Sequence, residues 1–91
     1  MRPSKNPELM EALAVEVKVR RGELALTQED LAGRADIDRP YVSMIEVGRK
    51  QPTLSVLYRL AKGLDFTLAE LADRVEKRYL RSLRKAARSR S

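Results

Sequence analysis

Residues 27–46 read TQEDLAGRADIDRPYVSMIE, and this stretch decides how the rest of the chain is arranged. Thr27 is a good N-cap, because its hydroxyl can accept a hydrogen bond from an unpaired amide of the first helical turn. Asp30, three residues on, can reach back in a capping box, although Glu or Gln is the usual partner there. Leu31, Ala32 and Ala35 then share one face at helical spacing. Asp36 ends this helix, since Asp and Asn tolerate left-handed backbone angles better than bulky residues do. Ile37 drops into the core, and Asp38 caps a second short helix. Pro40 falls in the first turn of that helix, where its missing N–H costs nothing. Val42 and Ile45 point inward, which leaves Arg39, Tyr41, Ser43 and Met44 facing outward. Two helices that cross steeply after so short a turn need a small residue at the contact, and Ala32 supplies it.

Upstream, the pattern predicts a first helix from about Glu8 to Arg21 or Gly22. Leu9, Leu13 and Val17 recur at four-residue intervals, and Leu24 and Leu26 close the turn beneath them. Residues 1–7, with Pro3 and Pro7, read as a disordered lead-in. Downstream, Gly48 to Pro52 breaks the pattern as a loop, with Gly48 as a natural left-handed residue. Thr53 caps a fourth helix whose Leu54, Leu57, Leu60, Ala61 and Leu64 face the core, while Gly63 and Asp65 loosen its end. Thr67 and Glu70 form a capping box for a fifth helix. Leu68, Leu71, Val75 and Tyr79 carry that helix to about Lys85, and the final RSRS is expected to fray. The organisation expected is one helical domain over 8–73, followed by a basic helical extension over 74–91.

Within this frame four motifs stand in order: Leu26-Thr27-Gln28-Glu29-x-Leu31-Ala32, Ile45-Glu46-x-Gly48, Pro52-Thr53-Leu54, and Leu60-Ala61 ahead of Leu64. With them the chain resembles the lambda-repressor-like (Cro/cI or XRE) helix-turn-helix regulators from about Leu13 to Leu71. The resemblance implies an all-α, compact five-helix domain, here with an extended C-terminal helix. It also implies sequence-specific binding of double-stranded DNA, as a homodimer on a palindromic operator, to regulate transcription. The departures are Asp36 where the family usually has Gly, Asp38 where Ser is common, and Ala25 where Gly usually precedes Leu26. Asp38 sets an anion near the expected phosphates.

Carried over residue by residue, the resemblance gives base reading to Arg39, Pro40, Ser43 and Met44. Arg39 can pair bidentately with guanine, Ser43 can donate or accept, and Met44 can touch a thymine methyl. Thr27, Gln28, Tyr41, Arg49 and Lys50 are expected on phosphates. Blander readings stand beside these. Gln28 can be a helix former next to a cap, and Arg39 can hold a phosphate without reading a base. Met44 can fill a gap, Tyr41 can pack on its own helix, and Arg49 and Lys50 can be solvated loop charges. In the family, the residues matching Arg21 and Glu46 form an ion pair that ties the first helix to the reading helix. The dimer interface is expected at Pro52, Thr53, Leu54, Phe66, Leu68 and Leu71.

Composition bounds the alternatives. Ninety-one residues suffice for one small domain. The chain has no Cys and no His, which removes disulfides, thiolate metal sites and most zinc or nucleophilic catalysis. No metal, cofactor or enzymatic activity is therefore expected, the acids being scattered over helix surfaces. No apolar run approaches the roughly 20 residues of a membrane span, and no signal-peptide pattern opens the chain, so a cytoplasmic protein is expected. The net charge is +6, but residues 74–91 alone carry +7, from eight Lys/Arg against Glu76. The remainder stands at −1, so charge alone does not single out a reading helix. The tail itself can be a solvated face, a sequence-independent phosphate ligand or a contact for another protein. Tyr79 and Leu83 argue that part of it packs against something. No sensor domain fits in the remaining residues, which matches stand-alone regulators such as restriction-modification controllers or small phage repressors. The rival function is an antitoxin or adaptor whose main contact is a partner protein, such as a toxin, held by the long fifth helix.

Overall fold

The computed structural model describes residues 5–89, and they form five helices. These are α1 (Pro7–Glu23), α2 (Gln28–Ala35), α3 (Arg39–Glu46), α4 (Leu54–Gly63) and α5 (Leu68–Ser89). The all-α, five-helix architecture with a long C-terminal helix is the one the sequence implies.

Each helix begins where a side chain can take an orphan amide. The Asn6 carboxamide accepts from the Leu9 amide at 3.1 Å, with Pro7 as the first helical residue, so α1 starts slightly before Glu8. Thr27 and Asp30 complete their reciprocal box at 3.0 and 2.9 Å. Asp38 accepts from the Tyr41 amide at 2.9 Å, and Thr53 from the Val56 amide at 3.2 Å. Thr67 and Glu70 form the second box. The predicted starts of α2 to α5 are thus built on the caps read from the sequence.

The helix ends are closed differently. Asp36 adopts φ 55°, ψ 48°, the left-handed geometry expected of it. Ala25 and Asp65 are also left-handed, at φ 56° and 59°, after α1 and α4. Ala gains no local hydrogen bond there, so its departure from Gly carries a steric cost of about 1–2 kcal/mol. Arginines reach across to the orphan carbonyls: Arg59 donates to Ala35 O at the end of α2, and Arg34 donates to Gly63 O at the end of α4. Arg20 donates to Leu64 O. Cations at helix C-termini also suit the macrodipole.

The core is Val17 from α1, Leu31 and Ala35 from α2, Val42 and Ile45 from α3, Leu60, Ala61 and Leu64 around α4, and Leu71 from α5. Fully burying a side chain such as Leu31 stabilises the fold by about 1.5–3 kcal/mol. α2 packs on α4 and α3, while α1 packs on α5 and α3. Ala32 is buried, at 4% exposure.

Four expectations change. Leu9 is exposed, and Met10 takes the buried position in its place. Leu54 is 72% exposed: the inward face of α4 is centred on Val56, Leu60 and Ala61, and the first residue falls off it. Gly63 does not loosen α4. A Cβ there would stand 3.2 Å from Leu31 Cδ1 and 3.3 Å from Arg34 Cβ, so the glycine permits the close approach of α2 and α4. α5 continues to Ser89, past Lys85. Residues 1–4 of the expected lead-in, and the last two residues of RSRS, lie outside the described residues.

Candidate nucleic-acid interface

The outward arc of α3 is built by what its inward arc must bury. Val42, Ile45 and Glu46 are sunk, which turns Arg39, Pro40, Ser43 and Met44 to the other side. Arg39 and Pro40 are exposed, Met44 is 40% exposed and Ser43 is half-buried. Val47, the C-cap, is 58% exposed and lies three residues beyond Met44 on the same arc. The sequence reading passed over Val47. Its three-to-four-residue spacing from Ser43 and Met44 was the available signal.

Beneath this arc sits a buried carboxylate. Glu46 is 4% exposed, and both its oxygens are engaged. Arg21 Nε donates to Oε2 at 2.8 Å and Arg21 Nη2 to Oε1 at 2.9 Å, a bidentate pair. Arg21 Nη1 also donates to Leu26 O at 2.9 Å, so one guanidinium joins α1, the α1–α2 turn and α3. Hydrogen bonding to Glu46 raises the pKa of Arg21 from its already high ordinary value.

Gln28 is placed by the same carboxylate: its Nε2 donates to Glu46 Oε1 at 3.1 Å. One hydrogen of that amide is thereby committed and the other remains for an external acceptor. The Thr27 amide is given to Asp30, so Thr27 can offer only its hydroxyl outward. These residues open α2, where the first amides lack intrahelical partners and the dipole favours an anion. On the other flank of α3, Lys50 Nζ lies 5.3 Å from the Tyr41 ring centroid. Tyr41 itself is half-buried against the core, and Arg49 and Lys50 are exposed. Their amides both donate to Met44 O, which pins the loop to the end of α3. Gly48, at φ 74°, makes that return possible. Gln28 and Lys50 therefore bracket the α3 arc, one beside its end and one beside Tyr41.

The residues expected at a dimer interface divide. Pro52 and Leu68 are half-buried, and Thr53 and Leu54 are exposed. Leu71 is fully buried and Phe66 is 8% exposed, so both are core residues with almost no surface to offer a second copy. The Phe66 amide donates to Ala61 O, which turns the side chain inward, and the Arg20 and Arg74 guanidinium carbons sit 4.3 and 5.0 Å from its ring centroid. A second buried carboxylate, Glu16, was also missed. It accepts a hydrogen bond from Arg78 Nε and lies 4.0 Å from Arg74, clamping α5 to α1. Its partners are some 60 residues away in sequence, and an acid inside the run ALAVEVKV carries no sign of them.

Comparison with known proteins agrees with this geometry. A family model described as helix-turn-helix matches residues 17–74. The control protein C.MunI of a Mycoplasma species is 40% identical over 60 residues, covering 66% of this chain and 81% of that protein. The restriction-modification controller protein C.Esp1396I, solved as a tetramer with its natural 35 base-pair operator, has a TM-score of 0.73 and 32% identity, covering 79% of this chain and 95% of that one. The clp gene regulator ClgR of Corynebacterium glutamicum has a TM-score of 0.82 at 22% identity, over 97% of this chain and 92% of its own, a likeness of fold.

Proposed function

The chain belongs to the helix-turn-helix, XRE-like family of DNA-binding transcriptional regulators, and on that premise we propose that it binds a palindromic operator sequence-specifically as a homodimer. The observation that carries the reading is the bracketed α3 arc: exposed Arg39, Pro40 and Met44 between the open end of α2 and the Arg49–Lys50 loop. An exposed helix face of this kind fits a major groove, with the flanking groups on the phosphate backbones. Arg39 and Ser43 read base edges, and Met44 and Val47 meet apolar ones such as thymine methyls. Thr27, Gln28, Tyr41, Arg49 and Lys50 set the register on phosphates. On this reading the chain acts in the cytoplasm on duplex DNA, as the controller C.Esp1396I was solved on its natural operator. Among the described residues, no helix is long and apolar enough to cross a membrane.

Selection of bound duplexes from a random pool, at stated salt, tests this. The expected product is an inverted repeat whose half-sites lie about one helical turn apart. An adaptor or antitoxin whose essential contact is a toxin would enrich no such repeat on its own.

A further inference from the structure

A polar cleft of about 370 Å³ opens between α1 and α5, away from the reading arc of α3. Its α5 wall is a row of cations. Arg74, Lys77, Arg78 and Arg81 recur at spacings of three and four residues, so they share one face of the helix. Buried Glu16 and exposed Val19 form the α1 wall.

Two of these cations are held in place by the fold. Arg78 donates its Nε to Glu16, which leaves both its Nη groups for another acceptor. The Arg74 guanidinium carbon sits 5.0 Å from the Phe66 ring centroid, and its Nη1 lies 4.0 Å from Glu16, too far for a hydrogen bond. Lys77 pairs with Asp73 at 2.9 Å on the exposed rim. Arg81 is exposed and has no acid partner among the described residues. Four cations thus face two carboxylates, Glu16 and Asp73, and the cleft keeps a charge of +2. Glu16 positions two guanidinium groups but neutralises only one.

We propose that this cleft binds a small phosphorylated molecule by a diphosphate group, held by Arg74, Arg78 and Arg81. Guanidinium forks match the oxygens of a phosphoryl group, and positions fixed beforehand lower the cost of ordering them on binding. A single carboxylate carries one charge and leaves the cleft cationic, whereas a diphosphate carries enough to balance it. The volume is at the small end of ligand clefts, which run from about 300 Å³ upward. Exposed Val19 offers an apolar contact to whatever the diphosphate is attached to. The site lies outside the reading arc, so the inference does not rest on the operator reading.

Calorimetric titration of the full chain with inorganic pyrophosphate, against NaCl of equal ionic strength, tests this. Saturable binding of one pyrophosphate per chain is expected. Arg81→Ala strands no acid, and it is expected to weaken binding roughly tenfold, the worth of one charge-assisted hydrogen bond. Arg84→Ala removes an exposed cation of the same helix outside the cleft and is expected to leave the affinity unchanged. Heats no different from those of NaCl would overturn the proposal, as would an equal loss in Arg84→Ala, which would mark attraction to the helix as a whole. Binding of the selected operator is read alongside, and Arg81→Ala is expected to leave it unaltered. A tenfold loss there would make the cleft a contact for DNA phosphates and overturn the small-molecule assignment.

Discussion

Glu46 receives Arg21 from α1 and Gln28 from α2, so one buried carboxylate sets the relation of three helices to the reading arc. Such a pair orients more than it stabilises, because desolvation offsets most of the Coulomb gain. Losing one member is another matter, since it strands the other. Glu46→Ala or Arg21→Ala alone is expected to cost up to about 3–5 kcal/mol, and removing both is expected to cost less than the worse single change. A thermal-melt double-mutant cycle measures this, and strict additivity would dismiss the pair as a structural unit. On the outer arc, Arg39→Ala is expected to cost about 1–3 kcal/mol and to relax preference at one base pair of each half-site. Arg49→Ala is expected to weaken all sequences nearly equally. Binding-site selection with both variants separates these roles, and the reverse pattern would exchange them.

Among the elements, α2 and α5 both begin on a Thr whose amide holds a carboxylate three residues on. That hydrogen bond keeps Asp30 and Glu70 below the usual carboxylate range. Because the folded pKa lies below the unfolded one, each carboxylate's contribution is present above about pH 4 and is lost as pH falls through the folded value. Thermal melts from pH 7 to pH 3 are expected to show stability falling only at the acid end. Asp30→Asn with Glu70→Gln is expected to flatten that fall, and an unchanged acid slope would mean the caps contribute nothing. The caps were legible in the sequence because each is local: Thr27, Asp38, Thr53 and Thr67 act within three residues. The apolar faces were legible to within a quarter turn, which is why Leu9 and Leu54 were placed in the core and proved exposed. What depends on distant partners was not legible. Glu16 meets Arg78 across 62 positions, and Gly63 is needed only because α2 lies against it. The Arg21–Glu46 pair became legible through resemblance and not through spacing. Phe66 and Leu71, both expected at a dimer interface, are buried in the core, because no sequence pattern shows how far a five-helix core extends.

For the whole molecule, the position of the basic tail matters more than its charge. α5 packs on α1 and α4, whereas the reading arc belongs to α3. Screening over about 8–10 Å mutes charges held away from the phosphates. A chain ending at Leu83, studied at concentrations that keep the dimer intact, is therefore expected to change the slope of log affinity against log salt by less than about one unit. A fall of two units or more would place the tail on DNA. The central claim is that two copies of α3, held by one dimer, read two half-sites on the same face of the duplex. Its most direct measurement is affinity for the selected operator before and after insertion of about five base pairs between the half-sites, which turns one half-site to the opposite face. The account predicts that affinity drops to that of a single half-site and that an insertion of about ten base pairs does not behave like five. Equal affinity for the intact and the half-turn operator would contradict it.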